Sequence, residues 1–281
     1  MNHDVLPKLF AGLLDDAAMF PPEDAPLGEA LQGHAVHRSA WYRDMVGSFV
    51  CTAARIPALA EAVARRRLGL LRVTLIVPQG LDFVGDMLAS AREMDVLDVV
   101  VVEVPLGAHR IETAIDRLRD LAGPSTTASL EIPVRTVTEK QVHKLAQTGI
   151  RLKLRTGGTT IDAFHTEEEL ARPLVLCAAE RQAFKCTAGL HHAVRHTARS
   201  LFEHHGFLNL ALAARVAASS GSVAATRELL AQREPRRIAY LVGELTVSDV
   251  HAIRALFTSF GTCSVLDPVT DLVDLGLLVA R

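Results

Sequence analysis

Short apolar runs alternate along this chain with longer stretches whose apolar residues recur every three or four positions. Continuous runs of four to eight apolar residues suit strands buried on both faces, and the longer recurrence suits amphipathic helices. Strands are expected at 13–20, 48–54, 71–78, 97–105, 129–134, 150–155, 183–188 and 257–263. Helical spacing is plain at 56–68, 81–94, 111–121, 139–148 and 166–180. Three strand ends resemble one another: Leu75-Ile76-Val77-Pro78, Val102-Glu103-Val104-Pro105 and Leu130-Glu131-Ile132-Pro133. Eight strands alternating with helices over about 250 residues predict an α/β fold, a (β/α)8 barrel of the TIM type. One domain is expected to span 1–281. The rhythm breaks at 202–255, where helices follow strand seven with no clear strand, so a helical insertion is expected there before strand eight. An open flavodoxin-like sheet with a helical appendage is the competing architecture.

Composition narrows the function classes. The chain has 281 residues, 49% of them hydrophobic and 22% charged, with a net charge of −2. That is an ordinary globular balance with no basic footprint for nucleic acid. No apolar run approaches the roughly 20 residues of a membrane span. Cys51, Cys177, Cys186 and Cys263 are scattered, without paired metal-binding spacing or a secretory leader, so a reduced, cytoplasmic protein is expected. The expected partner is a small-molecule substrate, with homo-oligomerisation left open.

Chemistry concentrates in two segments. Ile150-Arg151-Leu152-Lys153-Leu154-Arg155-Thr156-Gly157-Gly158 and Ala183-Phe184-Lys185-Cys186-Thr187-Ala188-Gly189-Leu190-His191-His192 each set a lysine in a short β-like run that ends in a glycine-containing loop. Carboxyl ends of barrel strands are where barrel enzymes place their chemistry. A lysine in the lumen pays desolvation, and two neighbouring lysines repel, so at least one amine is expected to have a lowered pKa and to act as a nucleophile. If the strand alternation is inverted, the same lysines point out between helices. Glu103 and Glu131, at strand ends, are candidate general acids or bases.

These residues resemble class I deoxyribose-phosphate aldolases and their relatives. Lys153-x-x-Thr156-Gly157 is similar to the motif carrying the imine-forming lysine, and Phe184-Lys185-x-x-x-Gly189 to the next strand, whose lysine perturbs the first. Phe260-Gly261-Thr262-Cys263-Ser264 resembles the loop that holds a substrate phosphate, and Val50-Cys51 with Arg55 and Pro57 resembles strand two and its exit. Leu97-Asp98-Val99-Val100 is similar to strand four, whose aspartate pairs with the second lysine, and Leu14-Asp15 to an acidic position on strand one. The resemblance implies a lyase that works through a lysine Schiff base without metal or organic cofactor. Lys153, Lys185, Asp98 and Asp15 would be its catalytic set. Arg155, Thr156, Gly157, Thr187, Gly189, His191, His192, Gly261, Ser264 and Cys51 would bind substrate.

Departures from the pattern matter as much. Arg155 stands where the family has a small hydroxyl residue, on the same strand face as Lys153, and could anchor a planar anion. Only Ala188-Gly189 stands where a double glycine is expected, and His191, His192, His196, His204 and His205 follow. A substrate other than a simple sugar phosphate is therefore expected. Alternation also sets Glu103 opposite in face to Asp98 unless a bulge intervenes. Two other functions stay open at this point: a metal-dependent hydrolase or isomerase using the His191–His205 cluster, if that stretch is helical, and a non-catalytic metabolite-binding barrel. Cys263 has no histidine beside it in sequence, which favours a buried filler over a nucleophile.

Overall fold

The computed structural model describes residues 6–121, 125–198 and 201–280. Eight parallel strands close into a barrel: β1 (Leu14–Asp16), β2 (Val46–Thr52), β3 (Leu71–Ile76), β4 (Leu97–Pro105), β5 (Thr127–Glu131), β6 (Arg151–Arg155), β7 (Phe184–Thr187) and β8 (Phe257–Thr262). Each strand pairs with the next in sequence, and β1 pairs with β8 through Leu14 to Phe260 and Asp16 to Thr262. The fold is thus a (β/α)8 barrel, not an open sheet. No helix among the described residues is long and apolar enough to cross a membrane.

Local sequence explains the helices around it. Ile111–Leu121 buries Ile111, Ala114, Ile115 and Leu118, one stripe at helical spacing. Thr138 with Gln141 and Thr166 with Glu169 form reciprocal capping boxes that start Glu139–Ala146 and Glu167–Ala179. Strand one is shorter than its apolar run suggests. Asp16 Oδ1 accepts the Ala18 N–H at 3.2 Å and turns the chain, and Pro21 and Pro22 have no N–H to extend a ladder.

Between β7 and β8 lie a short antiparallel pair, His196–Thr197 against Glu203–His204, and the helices Phe207–Ser220, Val223–Ala231, Pro235–Gly243 and Val247–Leu256. The first of these is buried almost all round, with Phe207 stacked on Phe260 of β8 at 5.0 Å. Its buried Asn209 bonds in both directions. Oδ1 accepts the Arg195 N–H at 2.9 Å, and Nδ2 donates to Leu229 and Gln232 carbonyls at 2.7 Å. The antiparallel pair is thereby tied to the helices behind it.

Candidate active site

Register places the chemistry. Glu131 of β5 lies opposite Lys153 of β6, which lies opposite Lys185 of β7. Register partners on adjacent strands share a face, and here that face is the lumen. On β4 the register against β3 shifts between Val99 and Val101, a bulge lying between Asp98 and Glu103. Beyond it, Glu103 points inwards and meets both lysines. Glu103 Oε2 is 2.7 Å from Lys153 Nζ and Glu103 Oε1 is 2.5 Å from Lys185 Nζ. Lys153 Nζ also lies 2.8 Å from Glu131 Oε2, and Lys185 Nζ 2.7 Å from Asp15 Oδ2. Neither Glu103 oxygen has a partner at proper hydrogen-bond angles among the described residues, and the Lys153 and Lys185 charges are what hold it.

Asp15 is fixed from below. Ser259 Oγ donates to its Oδ2 at 2.8 Å, Ser48 Oγ to its Oδ1 at 3.2 Å, and Ser48 pairs with Thr74 Oγ1 at 2.6 Å. Gly47 makes the approach feasible, because a Cβ there would stand 2.5 Å from Asp15 Oδ1. The four innermost charged groups are almost sealed: Glu103 and Lys185 are 1% exposed, Lys153 4% and Asp15 5%. Glu131 is the outlet, with a side chain 24% exposed toward the cavity.

The electrostatics correct an expectation. Burial disfavours the charge on Lys153, but the Glu103 and Glu131 carboxylates outweigh it and raise the ammonium pKa above its ordinary value. Lys185 shows the same contest between burial and the Asp15 and Glu103 carboxylates, and its pKa is raised as well. Burial alone would raise Glu103, yet the two ammonium groups hold its carboxyl at about 2. The lysines do not lower one another. One shared carboxylate, Glu103, stands between them.

Above this cluster opens a cavity of about 1000 Å³ at the carboxyl ends of the strands, lined by Lys153, Lys185, Glu103 and Glu131 and by Arg155, Thr187, Gly189, His191 and Gly261. Other expected site residues lie elsewhere. Asp98 sits at the amino end of β4 and forms no ion pair among the described residues; Glu103 and Asp15 hold the position expected for it beside Lys185. Cys51 packs in the apolar core, because Val50 and Thr52 are the β2 residues that face the cavity. Thr156 Oγ1 donates to the Ala188 carbonyl at 2.7 Å, clamping the β6 and β7 loops. Gly157 serves that clamp too, since a Cβ on it would lie 2.9 Å from Gly189 Cα. Ser264 Oγ accepts the Asp267 N–H at 3.3 Å at the start of the last helix. His192 Nδ1 lies 3.2 Å from Asp271 and does not line the cavity.

Of the histidine-rich stretch, His196 and His204 lie on the antiparallel pair, and none of its five histidines is in a helix. His196 and His204 are register partners, His204 Nδ1 donates to the Gly189 carbonyl at 3.1 Å, and His205 is turned inward onto the His165 carbonyl. No group of three or more histidine, cysteine or carboxylate side chains among the described residues is arranged to hold a metal. Folding creates one contact invisible in sequence: His191 Nδ1 stands 3.4 Å from Cys263 Sγ at the cavity wall. Burial pushes this thiol up to about 12 and His191 down to about 4, so the pair is neutral.

No family model matches the chain, and no curated protein matches it. Among solved structures, the chain is similar to one described as QR15, an aldolase. They share 11% identity over 95% of this chain and 97% of that one, with a TM-score of 0.48.

Proposed function

We propose that this protein is a lyase of the class I aldolase type that acts on a small-molecule carbonyl compound through an imine on Lys153. The observation that carries the reading is the pair of sealed ammonium groups, Lys153 and Lys185, joined by Glu103 at the floor of one cavity. Apolar side chains would fill a barrel at lower cost than buried ions, and coupled titratable groups at a cleft floor are where chemistry is built. Two ammonium groups face three carboxylates, Asp15, Glu103 and Glu131, so the cluster can accept one further proton.

Glu131 is the natural acceptor, because it touches Lys153 and also reaches the cavity. When a carbonyl compound displaces water from the amine, Lys153 passes a proton to Glu131 and its free electron pair adds to the carbonyl carbon. Glu131 returns the proton to the new hydroxyl, water leaves, and an iminium ion remains. The neighbouring C–C bond then breaks, its electron pair passing to the iminium to give an enamine. A carboxylate takes the hydroxyl proton of the departing fragment, which leaves as an aldehyde or ketone. Protonation of the enamine carbon and hydrolysis of the imine restore Lys153. Lys185 stays an ammonium between Asp15 and Glu103 and keeps Glu103 ionised. Lys153 is the better nucleophile because one of its two partners is solvent-accessible, whereas both partners of Lys185 are sealed. Arg155 holds an anionic group of the substrate.

Borohydride reduction with a carbonyl compound should add mass to the peptide containing Lys153. Lys153→Ala should abolish the adduct and lower turnover by roughly a thousandfold or more. An adduct on Lys185 would reverse the two roles. Binding without any adduct would favour a non-catalytic metabolite-binding barrel.

A further inference from the structure

The cavity is far larger than an imine site requires, and its walls are apolar. Phe20 and Pro22 from the loop after β1 and Ile76 and Pro78 from the end of β3 form one side, with Phe164 and Phe202 on other loops. Phe164 and Phe202 touch, with ring centroids 5.0 Å apart. A volume of about 1000 Å³ is at the upper end of ordinary ligand pockets, and a three-carbon acid would leave most of it wet.

Charge is sparse above the floor. Lys153 and Lys185 are already matched by carboxylates, so Arg155 is the one lining lysine or arginine without an acidic partner among the described residues. Its Nε donates to the Gly157 carbonyl at 3.2 Å, which orients the guanidinium and leaves its terminal nitrogens for a ligand. It stands two residues beyond Lys153 on the same strand, roughly 7 Å along it. The loops after β7 and β8 offer less to a phosphate, because three of their backbone N–H groups are already engaged. The Ser264 N–H is taken by Thr262 Oγ1, the Asp267 N–H by Ser264 Oγ and the Ala193 N–H by Asp271. Asp267 and Asp271 would also repel a dianion.

We infer that the substrate is an oxo acid with a bulky apolar body, its carboxylate on Arg155 and an aromatic or branched side chain between the phenylalanine and proline walls. This rests on the imine reading for the word oxo alone; the amphipathic pocket stands without it. Calorimetry with compounds that lack a ketone or aldehyde group separates the two. 3-Phenylpropionate should bind at least about tenfold more tightly than propionate, as burial of a phenyl ring requires. Arg155→Ser should weaken 3-phenylpropionate about tenfold or more and leave the neutral 3-phenylpropanamide unchanged, whereas Phe202→Ala should weaken both. Equal binding of propionate and 3-phenylpropionate, indifference to Arg155→Ser, or equally tight binding of inorganic phosphate would overturn the inference. If 3-phenylpropionate binds as expected but no carbonyl compound is trapped by borohydride, the imine reading fails and the pocket assignment survives. Trapping of small aldehydes by a protein that ignores the aromatic acid would overturn the pocket assignment and leave the imine standing.

Discussion

Replacing Glu103 by glutamine tests the centre of this site with almost no change of shape. The wild-type carboxyl is held from an ordinary 4.5 down to about 2 by two ammonium groups. A depression of that size corresponds to about 3 kcal/mol of stability at neutral pH, within the 3–5 kcal/mol typical of breaking a buried ion pair. Glu103→Gln should therefore lower Tm at pH 7 by roughly 6–9 °C, taking about 2–3 °C per kcal/mol for a chain of this size. Because the folded pKa is depressed, this contribution is complete above the unfolded value of 4.5 and fades as pH falls toward 2. By pH 3 the gap between wild type and variant should narrow to about 1 kcal/mol. Thermal unfolding followed by circular dichroism at pH 7, 5 and 3 measures it. A second readout is chemical: with one counter-charge gone, Lys153 gives up its proton more readily, so borohydride trapping in the variant should extend to lower pH. A Tm unchanged at pH 7, or a gap that stays constant from pH 7 to 3, would refute the claim that Glu103 is an ionised bridge between two ammonium groups.

Three further outcomes are expected. Ala188 has φ 64°, a left-handed conformation that costs a residue with Cβ about 1 kcal/mol, so Ala188→Gly should raise Tm by a few degrees; a fall would mean the loop is not strained there. With Cys263 pushed up to about 12, its alkylation by iodoacetamide should keep accelerating with pH beyond 9, whereas a plateau below pH 8 would reveal a thiolate paired with His191. Gly157→Ala should destabilise by about 1–3 kcal/mol, since its Cβ would meet Gly189 Cα at 2.9 Å, and urea unfolding with an unchanged midpoint would show that the two loops yield freely.

The barrel was legible from periodicity because each strand is a short apolar run between helical stretches, and close packing leaves such a pattern few other solutions. Lys153 and Lys185 were legible too, since a charged residue inside an apolar strand stands out wherever the strand is buried. Their counter-charges were only half legible. Glu103 and Glu131 occupy the same place in two of the three recurring strand ends, a sign that both face one lumen. Asp98 was implied by the resemblance instead, but it lies at the amino end of β4, and the β-bulge beyond it, which leaves no mark in the spacing, turns Glu103 into the lumen. The sign of the lysine pKa shifts belonged to the tertiary structure alone: burial lowers an amine and a carboxylate at 2.7 Å raises it, and that contact joins residues 50 positions apart in the chain. The meeting of His191 with Cys263, 72 positions apart, is of the same kind. So are the apolar walls of the cavity, assembled from loops that follow different strands. The chain by itself determined the architecture and the two lysines, through patterns that are local. What surrounds those lysines was decided by barrel closure, which sets register and bulge and so chooses which distant side chains share the lumen.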